Sequence, residues 1–205
     1  MNSKQHFDKL FVRYPSLEAC RAEIDSAYNI LCGCYKNGGK VLACGNGGSA
    51  ADADHIVGEL MKGFLLSRKI KEKAVNGDDE ILSGLQNALP AISLNAHSAL
   101  FSAFSNDLQF ENVYAQQVWG YGEKNDVLIA LSTSGNSQSV VNAVRAANAK
   151  GIKSVAITGG RNSNLENFST VCIKLPETET FKIQELTLPV YHCLCAMLEA
   201  EFFAE

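Results

Sequence analysis

His55 and Glu59 stand four residues apart in the segment ACGNGGSAADADHIVGEL (43–60), so on a helix they share one face. An imidazole and a carboxylate stacked in this way can pass protons or hold a cation between them. Their neighbours Ala50, Ala51, Ala53, Ile56, Val57 and Leu60 are small or apolar. A second set lies in KIQELTLPVYHCLC (182–195), where Gln184, Leu188 and His192 run down one stripe at spacings of four. A glutamine and a histidine on an otherwise apolar helix need partners, either as satisfied buried polar groups or as parts of a site.

Two loops have the composition of anion cradles. GNGGS (45–49) follows the apolar run 41–44, and its glycines let the backbone bend and approach a ligand closely. Ser49 then opens a helix, whose free N–H groups and dipole favour negative charge. STSGNS (132–137) follows the apolar run 127–131 in the same way and carries four hydroxyls and a glycine within six residues. Either loop alone could be a tight strand–helix turn. Together, at the ends of the first and third strands of one sheet, they would flank a single crevice. Gly45, Gly47 and Ala50 fit the GxGxxA spacing of dinucleotide sites. No second strand with an acidic residue ~20 positions on follows promptly, and no GK[ST] is present, so the nucleotide motifs fit badly.

The elements that must position these groups follow from the hydrophobic pattern. Short apolar runs at 41–44, 91–94, 127–131, 154–158 and 171–175 show little alternation, as strands covered on both faces do. Helical patterns separate them at 50–62, 98–121, 138–150 and 162–167. The alternation predicts an α/β fold, a three-layer αβα sandwich with a five-stranded parallel sheet in the flavodoxin-like order 2-1-3-4-5. We read residues 1–205 as a single domain with an N-terminal helical arm over 1–38. In the arm, a helix precedes Tyr14-Pro15, and a second, N-capped by Ser16, runs over 17–36 to Gly38-Gly39. Residues 64–90 form an inserted excursion, long for a connection and helical around 78–88. A last helix covers 180–203, with Pro189 expected to kink it.

Composition narrows the functional classes. The net charge of −4 gives no field to draw nucleic acid or an anionic membrane, and the basic run SRKIKEK (67–73) is soon offset by NGDDE. The first residues lack the apolar run and cleavage site of a leader peptide, and no apolar run is read as reaching the ~20 residues that span a bilayer. Seven cysteines, an odd number, lie mostly inside apolar runs, and the close pairs Cys32/Cys34 and Cys193/Cys195 are CxC rather than CxxC. We expect reduced thiols and a cytoplasmic protein, with no nucleic-acid or membrane partner.

ACGNGGSAADADHIVGEL, LIALSTSGNS and KIQELTLPVYH, in this order, resemble the phosphoheptose isomerase branch of the SIS (sugar isomerase) superfamily, over nearly the whole chain. The resemblance implies a homotetramer with sites near subunit interfaces. It also implies an intramolecular oxidoreductase, a phosphosugar isomerase that interconverts a ketose phosphate such as sedoheptulose 7-phosphate and an aldose phosphate. By that resemblance Ser49, Ser132, Thr133, Ser134 and Ser137 hold the phosphate, with Asn46 and Gly47 beside it and Gln184 contacting the substrate. Glu59 and His192 move protons through an enediol. His55, Glu59, Gln184 and His192 match the zinc set of some members; no nucleotide cofactor is implied. Two positions depart from the pattern. Gly63 stands where an arginine is usual, with Lys62 beside it, and Phe181 stands where an aspartate is usual, so two sugar contacts are missing. His97, just after the second strand, is a candidate for contact with sugar hydroxyls. Related proteins of this fold act instead as non-catalytic sugar-phosphate regulators or associate with the bacterial replication initiator. That is the alternative reading; a sugar-phosphate lyase or etherase would suit a longer or duplicated chain.

Overall fold

The computed structural model describes residues 1–204 apart from 72, 74–76 and 78. Five strands, β1 (Val41–Gly45), β2 (Ala91–Ser93), β3 (Val127–Leu131), β4 (Lys153–Gly159) and β5 (Val171–Leu175), form one sheet. All neighbours are parallel and the order is β2-β1-β3-β4-β5. β1 and β3 are fully buried along their length, which is why their sequences do not alternate.

Helices cover both faces. On one side lie α1 (Ser3–Arg13), α2 (Arg21–Lys36), α3 (Gly48–Met61) and α9 (Thr180–Phe203), packed on the strand residues Val41, Ala43, Val127, Ile129, Val155 and Ile173. On the other lie α5 (Ser98–Asp107), α6 (Val113–Tyr121), α7 (Gln138–Ala149) and α8 (Asn164–Phe168), packed on Leu42, Cys44, Leu128, Ala130 and Ala156. A short helix, α4 (Asp79–Ser83), lies in the excursion between α3 and β2.

Several boundaries differ from the sequence reading, each for a local reason. The helix expected over 98–121 is two helices, because the chain leaves the helical region at Leu108 and a 3-10 turn, Phe110–Asn112, joins them. Ser16 is not a cap. Pro15 sits at the first position of a 3-10 turn, Pro15–Cys20, which its fixed φ suits, and α2 starts only at Arg21. Only five residues of the stretch expected as helix over 78–88 are helical, and residue 78 lies outside those described. α9, in contrast, has the bounds expected of it, 24 residues with Pro189 inside. It is also long and apolar enough to cross a membrane, which the reading of the apolar runs missed because Lys182, Glu185 and Glu199 interrupt it; 67% of its most apolar stretch is buried inside the fold.

The ends of the excursion are fixed to the body. Arg68 and Glu199 are enclosed, with Nε donating to Oε1 at 2.8 Å, and Glu199 also accepts from the backbone N–H groups of Phe64, Leu65 and Leu66. Arg68 Nη1 donates to Leu60 O and Nη2 to Glu59 O, so the guanidinium holds the carbonyls at the C-terminus of α3.

Candidate active site

β1 and β3 run in register from Val41↔Val127 to Gly45↔Leu131. The two loops therefore leave the sheet side by side, at the switch point between β2-β1 and β3-β4. A hydrogen bond ties the first loop to α7. Asn46 Nδ2 donates to Ser139 Oγ at 3.0 Å, joining the first loop to the helix that follows the second. Tyr114, buried on α6, donates its hydroxyl to Gly45 O and lies 3.0 Å from Asn46 Oδ1, while Asn95 Nδ2 donates to Gly45 O at 2.7 Å. Tyr114, Asn95 and Ser139 were missed in the sequence, where they read as ordinary helix and loop residues.

The first loop turns at Gly47, whose φ of 59° is a left-handed value that favours glycine. The second turns at Gly135, φ 64°, where a Cβ would overlap Ser163. Ser49 and Ser132 are buried, Thr133 and Ser137 half-buried, and Ser134 exposed. Ser132 Oγ donates to Ser137 Oγ at 3.2 Å, and Ser134 Oγ accepts from Asn136 N–H. Neither α3, entered from Gly47, nor α7, entered from Ser137, has a side-chain cap, and both helices leave from loops at the ends of neighbouring strands.

α3 and α9 run alongside each other in the same direction. Gln184 packs against Gly48, at the loop end of α3; a Cβ on Gly48 would overlap the Gln184 amide nitrogen. Two turns further on, Tyr191 and His192 meet His55. His55 Nε2 lies 3.1 Å from Glu59 Oε1 and 3.4 Å from His192 Nε2, and the two imidazoles meet edge to face at 4.9 Å. Ligand atoms of His55, Glu59 and His192 all lie within 4.8 Å of one another. Three of the four residues of the expected zinc set thus lie together, while the Gln184 amide lies against Gly48 and its backbone is about 12 Å back from His192 along α9 at 1.5 Å per residue.

Glu59 has little exposure, and its other oxygen accepts from Lys62 Nζ at 3.2 Å. Burial, and then the neighbouring His55, hold the His192 imidazole below the ordinary histidine value, which favours its neutral form. Phe64 closes one side of the His192 ring at 5.3 Å. All seven cysteines are unpaired; burial pushes Cys20 up to about 11 and Cys44, Cys193 and Cys195 up to about 12, so these thiols are inert.

The two departures also have a structural setting. Gly63 donates its N–H to Gln86 Oε1 at 2.7 Å, and a Cβ there would lie 2.5 Å from Leu66 O. The excursion therefore occupies the space that an arginine side chain at 63 would need. Phe181, at the start of α9, is exposed. His97 lies just before α5, its ring tilted against Tyr121 at 5.5 Å and its Nε2 buried without a partner.

Residues 13–159 match the model of the SIS domain. The chain is 36% identical over 180 residues to a phosphoheptose isomerase of Rhodospirillum rubrum, covering 88% of this chain and 86% of that protein. Among solved structures it resembles a phosphoheptose isomerase from Francisella tularensis, with a TM-score of 0.75 and 28% identity over 96% of this chain and 95% of the other. It also resembles the phosphoheptose isomerase of Neisseria gonorrhoeae, with a TM-score of 0.73 and 30% identity over 96% and 91%. Paired loops at neighbouring strand ends, a parallel sheet of this order and relatives matched nearly end to end converge on one assignment: the chain belongs to the SIS domain family, on its phosphoheptose isomerase branch.

Proposed function

We propose that this phosphosugar isomerase interconverts a ketose phosphate resembling sedoheptulose 7-phosphate and its aldose phosphate, with Glu59 and His192 transferring protons. The observation that carries the reading is the meeting of Glu59, His55 and His192 on two helices, α3 and α9, that pack together from the anion loops outward. The phosphate would sit among Ser49, Ser132, Thr133, Ser134 and Ser137, with Asn46 and Gly47 lining the first loop and Gln184 beside it over Gly48.

In the reaction a proton leaves the carbon beside the carbonyl and its electron pair forms an enediolate; a proton then reaches the former carbonyl carbon. A carboxylate of low exposure and a neutral imidazole suit the two transfers. The donor set fits zinc, since two imidazoles and a carboxylate lie within reach of one ion. When bound, zinc would be held by His55, Glu59 and His192 and would supply a Lewis acid for the enediolate oxygen. With no room for a side chain at position 63 and Phe181 in place of an acid, recognition of the sugar falls to other groups, and His97 is a candidate. A homotetramer is proposed with it; exposed Val12, Trp119, Phe181 and Leu188 are apolar surface that further copies would cover, and light scattering tests this. Seven unpaired thiols suit a reducing, cytoplasmic setting.

The test is incubation with sedoheptulose 7-phosphate followed by NMR of the sugar. New aldose anomeric signals are expected. Folded protein that converts neither this sugar nor a panel of other ketose phosphates would reject the reading. The missing contacts at Gly63 and Phe181 favour one alternative, a sugar-phosphate regulator or a protein bound to the replication initiator. Capture of the initiator by wild type and by an inactive Glu59→Gln variant alike would support that alternative.

A further inference from the structure

Asp52 and Tyr191 lie behind the proton-transfer pair and have no part in the roles given above. Tyr191 is buried, and its hydroxyl is 2.9 Å from His55 Nδ1 and 3.2 Å from Asp52 Oδ1. The three aromatic rings of His55, Tyr191 and His192 meet edge to face in every pairing, with centroids 4.9 to 5.4 Å apart, so His55 has little freedom to turn.

A phenol has one proton to give, and a carboxylate can only accept. With a cation on the Nε2 side of His55, the Tyr191 proton goes to Asp52. The hydroxyl's lone pair is left to accept from His55, which places the imidazole proton on Nδ1. His55 then turns an unprotonated Nε2 towards Glu59 Oε1 and His192 Nε2. The His55 Nε2 lone pair and the Glu59 carboxylate are the groups that would hold a cation there.

We propose that Tyr191 and Asp52 are positioning residues that fix the His55 tautomer and so present its Nε2, together with Glu59 and His192, to a divalent cation. This rests on the reading of the site as able to hold zinc, and it assigns to two further residues the outer hydrogen bonds that metal-binding histidines need. Asp52 and His55 are three apart on α3 and Tyr191 precedes His192 on α9, so α3 supplies two ligands and one supporting residue, and α9 one of each.

The test is zinc competition against a chromophoric chelator, using metal-stripped protein. Wild type is expected to take up zinc. Tyr191→Phe, which keeps the ring packing, and Asp52→Ala should each bind it about 10–100-fold more weakly. Ser132→Ala, in the anion loop, should bind as wild type does. In nitrogen-15 histidine spectra of the zinc-loaded wild type, His55 should be protonated at Nδ1 and coordinated through Nε2. The proposal is overturned if wild type takes up no zinc, if Tyr191→Phe binds as tightly as wild type, or if His55 coordinates through Nδ1. Turnover is not read, so an inactive protein that binds zinc in this pattern would sink the isomerase reading and leave this one standing.

Discussion

Arg68 and Glu199 form an ion pair closed to solvent, their side chains 0% and 1% exposed, between the start of the excursion and the end of α9. The pair ties the backbone of residues 64–66 to α9 and holds the carbonyls of Glu59 and Leu60. Packing of Arg68 over the Phe203 ring at 4.7 Å adds to the enclosure.

Removing one partner would strand a buried charge. Glu199→Leu is expected to lower stability by about 3–5 kcal/mol, read from urea unfolding. The double variant Arg68→Met/Glu199→Leu should recover part of this, because the stranded charge is gone while three backbone N–H groups stay unpaired. Equal stability of Glu199→Leu and wild type would mean that the pair is not enclosed in solution.

Glu59→Gln keeps the shape of the side chain and removes its basicity. Turnover should fall by about 100- to 10,000-fold, the usual range for a positioned acid or base. Binding of inorganic phosphate, which the loops would govern, should be unchanged by calorimetry. A Glu59→Gln enzyme within threefold of wild type would move the proton transfer to another group.

On the role proposed for His192, its depressed value would set the acid side of the pH profile. In the folded chain the imidazole stays neutral below the ordinary value of 6.5, so kcat/KM should hold through pH 6.5 and fall only at lower pH. Stability follows the same sign: the unfolded chain takes up this proton first as pH drops, so the native state loses stability from about 6.5 down to the folded value and no further through this group. An acid limb at or above 6.5, absent from a His192→Asn variant with residual activity, would contradict the assignment.

The sheet was legible because its strands are buried on both faces and the turns between them carry glycine and hydroxyl residues in unmistakable clusters. That β1 and β3 lie side by side follows from the expected strand order. What escaped the sequence is whatever depends on long-range partners. Arg68 reads as one more cation in a basic run, and only the fold brings Glu199, 131 residues away, beside it. Tyr191 reads as an apolar filler before His192, since nothing local shows that its hydroxyl reaches α3. The break at Leu108 is equally silent, because the apolar spacing continues through it. Asp52 alone had a local signal, its spacing of three from His55 on an evident helix.

Two glycines of the first loop should respond to alanine in opposite ways. At Gly45 the new methyl would lie 2.5 Å from Ser49 O and 2.7 Å from Ser49 C, both backbone atoms that cannot yield without moving the loop. Gly45→Ala should therefore unfold at lower temperature and lose phosphate binding. At Gly48 the methyl meets the far end of the Gln184 side chain, which can swing aside. Gly48→Ala also favours helix, by up to about 1 kcal/mol at a position with helical geometry. It should therefore fold at least as well as wild type and raise KM through the displaced amide, with kcat changed less. Thermal melts and steady-state kinetics separate the two cases; a Gly48→Ala enzyme with unaltered KM would remove Gln184 from the substrate's surroundings.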